Sequence, residues 1–269
     1  MSRSSRYAGS IPHYYEQYLA PVLFEPYAQD LAHRIPDRAE QVLELACGTG
    51  RLTRQLLSKL APSGQIIATD LHEDMLNIAS ARVHDPRIRW KKADATHLPF
   101  DAFSFDLVAC QFGVMFFPDQ EKAYREVFRV LRPGGAFWFN TWDSPNRNPR
   151  AAVIGKVLDE VIGPDNHGFW KKGPYSYHDE TRIRKELQAA GFKTIQLEQL
   201  ALEAAFDTAE NFLTGFIEGS TLGPFLRAQP SDVEAAIRHK LAREMAALDR
   251  ELENRVPMQA FVVEALKSA

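Results

Sequence analysis

The stretch Val42–Gly50, VLELACGTG, decides the fold. Its first residues are apolar enough for a buried strand, and they run directly into a turn that contains Gly48 and Gly50. A helical pattern begins at Arg51. Glycines in such a turn supply positive φ angles and let a ligand approach the backbone. The first turn of the helix offers unpaired amide groups. The stretch therefore predicts a strand, turn and helix that together bind a small molecule.

Two residues argue against the alternative of a dinucleotide site. The dinucleotide fingerprint is G-x-G-x-x-G, whereas its third glycine position is occupied here by Thr53. Glu44 stands inside the strand, just before the turn. A carboxylate so close to the ligand disfavours a pyrophosphate and favours a ligand with positive charge. A nicotinamide-dependent oxidoreductase is kept as an alternative that these two residues disfavour.

Length, composition and charge exclude several classes of protein. The chain has 269 residues, of which 45% are hydrophobic and 25% charged, as in ordinary globular domains. The net charge of −3 disfavours a dedicated binder of nucleic acid or of anionic membranes. The two cysteines cannot form a disulfide framework, and the N-terminus lacks the apolar core of a signal peptide. The sequence therefore predicts a cytoplasmic protein.

Short apolar runs alternate with amphipathic stretches over the first half of the chain. The predicted strands are Gln41–Ala46, Gln65–Thr69, Ile88–Lys92, Leu107–Gln111 and Ala136–Trp142, and the predicted helices are Arg51–Leu60, Glu73–Val83 and Gln120–Leu131. Strands that alternate with helices in this way indicate a parallel α/β sheet.

The remaining segments are predicted to be mainly helical. Apolar spacings of three and four predict helix over His13–Arg34, interrupted by Pro21 and Pro26. Further helices are predicted at Ala151–Val161, Glu180–Ala190, Thr208–Phe216 and Ser231–Glu253, and further strands at Lys193–Leu200 and Met258–Leu266.

Acidic residues also follow the second and third predicted strands. Asp70 comes roughly 20 residues after the glycine turn, where a carboxylate can accept both hydroxyls of a ribose. The plainer alternative for Asp70 is a helix N-cap. Leu71 and Met75 could line the face of an adenine. Asp94 could accept a hydrogen bond from an exocyclic amine, with the backbone amide of Ala95 serving a ring nitrogen.

Taken together, these motifs resemble those of the class I S-adenosylmethionine-dependent methyltransferases. The motifs are ELACGTG at 44–50, Asp70, the pair Asp94 and Ala95, FDLVACQFGVMFFPD at 105–119 and VLRPGGAFWF at 130–139. They come in the order of that family, and the similarity is good over 40–142 and general elsewhere. The chain is similar to a broad subgroup that contains ubiquinone/menaquinone C-methyltransferases and natural-product enzymes acting on small molecules.

The resemblance implies a fold and a division of the chain. The fold is α/β, a Rossmann-like sheet of seven strands in the order 3-2-1-4-5-7-6, with strand 7 antiparallel and with helical lid insertions. Residues 1–269 then form a single methyltransferase domain. Its expected parts are an N-terminal helical flap at 11–35, a cofactor-binding core at 40–142 and substrate-lid insertions at 143–179 and 201–256.

The resemblance also implies S-adenosyl-L-methionine as cofactor and assigns residues to it. The contacts it implies around the methionine part and the methyl group are Glu44, Ala46, Gly48, Thr49, Gly50, Gln111 and Phe112. Around the ribose and adenine, the expected contacts are Asp70, Asp94 and Ala95, together with Leu71 and Met75. In the flap, Tyr14 and Tyr18 are spaced to share a helix face. A phenol there could hydrogen-bond the methionine carboxylate, or both rings could simply be interfacial.

Methyl transfer from a sulfonium is an in-line displacement that depends mainly on alignment. A base is needed only when the acceptor must lose a proton. The candidates are His13, His167 and His178, with Tyr177 as an orienting group; the plainer explanation of each is a surface or hydrogen-bonded side chain. The histidines show no metal-binding motif, so the sequence predicts no metal.

Aromatic residues mark the predicted acceptor pocket, which includes Phe112, Trp142, Trp170 and Tyr175. An apolar pocket with a few polar groups is typical of small-molecule sites. The sequence therefore predicts methylation of a small, aromatic or heterocyclic acceptor on O, N or C. It predicts no nucleic acid partner, no stable membrane association, and a monomer or homodimer. A second alternative is a binding or scaffold protein that keeps the fold without activity.

Overall fold

The computed structural model describes residues 11–164 and 173–269. Its strands are β1 Ala39–Glu44, β2 Leu60–Asp70, β3 Ile88–Lys92, β4 Phe105–Gln111, β5 Leu131–Trp142, β6 Thr194–Ala205 and β7 Arg255–Leu266. They form one sheet of order β3-β2-β1-β4-β5-β7-β6. Strands β1 to β5 pair in parallel, and β7 is antiparallel to β5. The predicted fold class and strand order are confirmed.

The helices lie close to their predicted positions. They are α1 Ile11–Tyr14, α2 Ala20–Leu23, α3 Glu25–Arg34, α4 Arg51–Leu56, α5 Glu73–Arg82, α6 Gln120–Val130, α7 Pro149–Ile162, α8 Glu180–Ala190, α9 Ala209–Glu218, α10 Leu222–Arg227 and α11 Ser231–Glu251. A π-helical turn at Tyr15–Leu19 separates α1 from α2. The sequence did not predict α10, because Gly223 and Pro224 lie within it and both are helix breakers. None of the described helices is long and apolar enough to cross a membrane.

The chain groups into two compact units. The core unit comprises Tyr27–Trp142, Tyr177–Leu200 and Ala260–Ala269. The helical unit comprises the described parts of Met1–Pro26, Asp143–Ser176 and Ala201–Gln259.

The sheet of the core unit is buried on both faces, as parallel sheets usually are. On one face, called here the α3 face, Val42, Ala109 and Trp138 belong to an apolar cluster with Leu31 and Ile35 at α3. On the other face the rings of Phe137, Phe139, Tyr124 and Phe192 pack against one another. Because successive residues of a strand point to opposite faces, this burial fixes which side chains share a face at the strand ends.

In the helical unit, two glycines let the N-terminal segment lie directly against α9. A Cβ on Gly215 would lie 2.6 Å from the Cβ of Tyr18, and one on Gly219 would lie 2.6 Å from the backbone nitrogen of Tyr15. Real Cβ atoms do not approach other atoms so closely. The π-helical turn therefore depends on the absence of side chains at Gly215 and Gly219, and π-turns frequently occur at functional sites.

We expect Gly215→Val to lower the melting temperature, although valine is a better helix former than glycine. The added methyl groups overpack the contact with Tyr18, which typically costs about 1–3 kcal/mol. For a chain of this size that corresponds to a decrease of roughly 2–10 °C in a thermal melt. Thr214→Val, at the neighbouring position of the same helix, is the control. Equal melting temperatures for the two variants would contradict the contact.

Candidate active site

The turn after β1 has left-handed backbone at three positions, with φ of +50° at Ala46, +55° at Gly48 and +79° at Gly50. A Cβ on Gly50 would lie 3.2 Å from both the Cβ of Ala79 and a ring carbon of Trp90, whereas one on Gly48 would meet nothing within 4 Å. Gly50 therefore lets the turn pack closely against α5 and β3. Gly48 borders open space, where a ligand can approach the backbone.

Polar side chains from neighbouring strands meet at the carboxyl edge of the sheet. Glu44, Asp70 and Gln111 are the last residues of β1, β2 and β4. The parallel register pairs Glu44 with Ala109 and Gln111 with Asn140. Because paired residues in parallel strands share a face and the side-chain period is two, these four polar residues all lie on the α3 face.

Glu44 is a buried acidic residue at this edge of the sheet. Its side chain is only 1% exposed, and Oε2 has no hydrogen-bond partner among the described residues. Burial raises the pKa of Glu44 to about 8, and the nearby negative charge of Asp70 adds to this effect. An ionised carboxylate in such a place is costly unless it is paired. The arrangement suits a ligand that brings a positive charge.

Asp70 connects the glycine turn to the end of β2. Its Oδ2 accepts a hydrogen bond from the Gly48 amide at 2.9 Å, and its Oδ1 accepts one from the His72 amide at 2.8 Å. Helix α5 starts only at Glu73, with His72 as its N-cap residue, so Asp70 is not the N-cap. Burial raises the pKa of Asp70, while these two hydrogen bonds oppose the rise. A carboxylate has about four acceptor sites, so it can still take ribose hydroxyls.

The residues predicted for the adenine lie beside Asp70. Leu71 is 38% exposed, which makes it one of two large hydrophobic side chains left exposed in the described residues, whereas Met75 is buried. Asp94 is exposed, and its Oδ1 accepts hydrogen bonds from both the amide and the hydroxyl of Thr96 at 2.8 Å. The Thr96 contacts therefore fix the orientation of the Asp94 carboxylate beside Ala95.

An aromatic cluster of Tyr27, Phe112 and Trp142 lies at the ends of β4 and β5. The rings of Phe112 and Trp142 stack at 4.0 Å between centroids, and Tyr27 meets both edge-on at 5.2 and 5.4 Å. Phe112 has a φ of +49°, and its amide donates to the carbonyl oxygen of Asn140 at 3.2 Å. Tyr27 was not predicted as a site residue, because its position depends on how α3 packs across the sheet.

The predicted flap tyrosines belong to the helical unit. The rings of Tyr14 and Tyr18 stack with centroids 6.4 Å apart, and their contact with a cofactor stays a prediction. His13 is exposed, and Tyr175 of the same unit is buried, which raises its pKa. His167 and Trp170 lie outside the described residues.

Tyr177 of the core unit uses its hydroxyl within the fold. Its side chain is 1% exposed. The hydroxyl accepts a hydrogen bond from Tyr124 at 3.1 Å and donates one to Glu186 at 2.5 Å, which joins α6 to α8. Burial raises the pKa of Tyr177. This geometry favours a packing role for Tyr177 over the predicted catalytic one. The neighbouring His178 is half-buried.

In the described residues no three His, Cys, Asp or Glu side chains are arranged to hold a metal ion.

The strand order and the acidic edge, which is the carboxyl edge of the sheet with Glu44 and Asp70, together define a methyltransferase of the Rossmann-like class. A family model for a methyltransferase domain matches residues 42–135. A demethylmenaquinone methyltransferase of Lactobacillus johnsonii is 30% identical over 177 residues, which cover 60% of this chain and 71% of that protein. The ubiquinone/menaquinone biosynthesis C-methyltransferase UbiE of Azotobacter vinelandii is 34% identical over 175 residues, covering 59% and 68%.

A solved structure has the same fold at low sequence identity. The phosphoethanolamine N-methyltransferase 2 of Haemonchus contortus, in complex with phosphomonomethylethanolamine and S-adenosylhomocysteine, is 19% identical with a TM-score of 0.58. The match covers 91% of this chain and 53% of that one. The chain belongs to the class I S-adenosylmethionine-dependent methyltransferases, and S-adenosylmethionine is its cofactor.

Proposed function

We propose that the protein methylates a small aromatic or heterocyclic acceptor on O, N or C. The observation that carries this proposal is the aromatic cluster of Tyr27, Phe112 and Trp142 beside the acidic edge. Flat apolar side chains next to a few polar groups are what a planar acceptor needs. The names of the relatives, which are methyltransferases of menaquinone and ubiquinone synthesis, support a ring that carries hydroxyl or carbonyl groups.

The residues at the edge fit the methionine part of the cofactor. Glu44 Oε2 is buried without a partner in the described residues, and a ligand ammonium would supply that partner. The space beside Gly48 lets the backbone from Ala46 through Thr49 to Gly50 contact the ligand. When bound, the cofactor supplies an activated methyl group on a positively charged sulfur, and the two nearby carboxylates, Glu44 and Asp70, provide a matching negative potential.

The nucleoside part is proposed to lie along the ends of β2 and β3. Asp70 accepts the ribose hydroxyls while it keeps its bonds to the turn. The exposed Leu71, with Met75 behind it, contacts the adenine ring. Asp94, held by Thr96, accepts from the exocyclic amine, and the amide of Ala95 donates to the ring.

Gln111 and Phe112 are proposed to border the methyl group, so that the acceptor meets it in line with the sulfur. Holding reactants in such alignment can account for much of the rate. His13, His167 and His178 remain proposed bases for acceptors that lose a proton. The flap at 11–35 and the lid insertions at 143–179 and 201–256 are proposed from the family resemblance. The net charge of −3 supports a small-molecule acceptor over a nucleic acid.

Transfer of a radiolabelled methyl group tests this function. We expect the full chain to move label from S-adenosylmethionine to reduced naphthoquinone or to a related hydroxylated ring. Asp70→Ala should weaken binding of S-adenosylhomocysteine by about tenfold or more, because hydrogen bonds to a charged group contribute about 1.5–3 kcal/mol. Asp74→Ala, at an exposed position, is the control. Label that reaches only aliphatic amines would overturn the acceptor class.

A further inference from the structure

Asn140 carries an unpaired amide inside the core unit. The residue is 0% exposed. Neither Nδ2 nor Oδ1 has a hydrogen-bond partner among the described residues. Two residues earlier on the same face of β5, the indole Nε1 of Trp138 is also buried without a described partner. Buried polar groups in natural proteins nearly always have a hydrogen-bond partner, so the polar atoms of Asn140 and Trp138 require an explanation.

The surroundings of Asn140 give the amide no role in folding. Its strand neighbours Gln111 and Val262 are in register with it, and Val262, Trp138 and Ala109 all belong to the apolar cluster of the α3 face. Leucine has the same branched shape and the same number of side-chain heavy atoms, and its apolar surface would suit these neighbours better. Replacing an unpaired buried polar group by an apolar one of the same shape is neutral or stabilising. We therefore expect the amide to contribute nothing to folding stability.

The position of Asn140 connects it to the proposed reaction. It lies beside Gln111, at the same edge of the sheet as Glu44. The backbone carbonyl oxygen of Asn140 accepts a hydrogen bond from the backbone amide of Phe112 at 3.2 Å. Trp142 is the next residue of β5 whose side chain lies on the same face. Asn140 is thus the strand neighbour of Gln111, which is predicted to border the methyl group, and it lies on the same strand face as Trp142 of the aromatic cluster.

We propose that Asn140 determines acceptor specificity by hydrogen-bonding a hydroxyl or carbonyl group of the acceptor ring. The proposal rests on the proposed function of the site. An amide offers both a donor and an acceptor, so it matches a ring with a hydroxyl or carbonyl next to the methylated atom. A ring that lacks such a group would leave the amide unpaired and would bind more weakly.

Because the amide is fully buried, the acceptor reaches it only when a flanking ring moves. Phe112 is the flanking residue whose backbone is left-handed, a conformation that non-glycine residues adopt at a cost and that often marks functional sites. Its ring stacks on Trp142 with an angle of 17° between the planes. A planar acceptor can replace one half of this stack without exposing the other ring to water.

The first test compares stability with cofactor binding. We expect Asn140→Leu to raise the melting temperature by about 2–4 °C and to change the affinity for S-adenosylhomocysteine by less than about twofold. Thr141→Val is the matched control on the next residue of β5, since its hydroxyl does have a partner, the carbonyl oxygen of Tyr177 at 2.8 Å. That variant should melt at a lower temperature than the wild type.

The second test uses α-naphthol as the probe, titrated into protein already saturated with S-adenosylhomocysteine. We expect Asn140→Leu to weaken α-naphthol binding about tenfold, the usual penalty for losing one specific hydrogen bond, while naphthalene binds both proteins equally. The NMR signal of the Asn140 side-chain amide can be assigned in nitrogen-15 labelled wild type, because it is missing from the spectrum of Asn140→Leu. We expect this signal to shift when α-naphthol is added to the wild type.

Three results would overturn the proposal. The first is a lower melting temperature for Asn140→Leu, which would mean that an ordered water pairs the amide for structural reasons. The second is equal affinity of the wild type and Asn140→Leu for α-naphthol. The third is no binding of α-naphthol by the wild type loaded with S-adenosylhomocysteine. A protein that fails to bind S-adenosylhomocysteine would instead contradict the proposed function, so the two failures are distinguishable.

Discussion

Glu44→Gln is expected to weaken binding of S-adenosylhomocysteine by roughly 30-fold or more. The substitution keeps the shape of the side chain and removes the charge that would pair with the ligand ammonium. Removing one partner of a buried charge pair typically costs about 2–5 kcal/mol of affinity. Titration calorimetry measures the effect directly. Glu40→Gln is the matched control, because Glu40 is an exposed residue of the same strand.

The same substitution should change how folding stability depends on pH. Burial raises the pKa of Glu44 from its ordinary 4.5 to about 8. The neutral side chain is therefore favoured in the folded protein, and the stability linked to it is fully present below about pH 4.5 and is lost as pH rises through about 8. The slope is at most about 1.4 kcal/mol per pH unit. Thermal melts across this range should show the decline in the wild type and a smaller one in Glu44→Gln.

Binding of the cofactor should then release a proton. Because Glu44 is mostly neutral below about pH 8 in the free protein, a ligand ammonium that pairs with the ionised form drives the proton off. The affinity should rise between about pH 6 and 8. Calorimetry in buffers of different ionisation enthalpy counts the proton. An affinity that is independent of pH in the wild type would rule out this role for Glu44.

The placement of polar residues at the carboxyl edge of the sheet was predictable because each of them is defined by local sequence. Glu44 and Asp70 end apolar runs, and the glycine turn follows directly. A parallel sheet brings strand ends to one edge, so no knowledge of packing was needed. Strand limits were harder. Strand β2 begins at Leu60 instead of Gln65, and β5 at Leu131 instead of Ala136, because prolines and glycines in these starts resemble turns.

Phe112 and Trp142 were predicted for the acceptor pocket, whereas Tyr27 and Asn140, which are proposed to join them, depend on packing and were not predicted. The edge-on contacts of Tyr27 with Phe112 and Trp142 join segments far apart in the sequence. The unpaired state of Asn140 can be recognised only when all its neighbours are placed. A π-helical turn at Tyr15–Leu19 likewise leaves no periodic signal distinct from that of an α-helix.

Breaking the ion pair between Arg150 and Asp249 is expected to have the largest effect on folding stability. Both residues lie in the helical unit and are buried, at 4% and 7% exposure, with Nη2 and Oδ1 at 2.5 Å. The guanidinium also donates to the carbonyl oxygen of Arg255 at 3.0 Å and packs on the rings of Phe206 and Phe212. The sequence of the helix predicted at Ser231–Glu253 gave no sign that Asp249 is buried.

Arg150→Met and Asp249→Leu should each lower the free energy of unfolding by about 3–5 kcal/mol, since each leaves one buried charge without its partner. Urea denaturation measures the loss, and Arg147→Met at an exposed position is the control. The double variant should lose clearly less than the sum of the two, because an apolar pair of similar volume removes both desolvation penalties. Strict additivity would show that the two side chains do not depend on each other, and losses below about 1 kcal/mol would mean that water reaches the pair as it does a surface salt bridge.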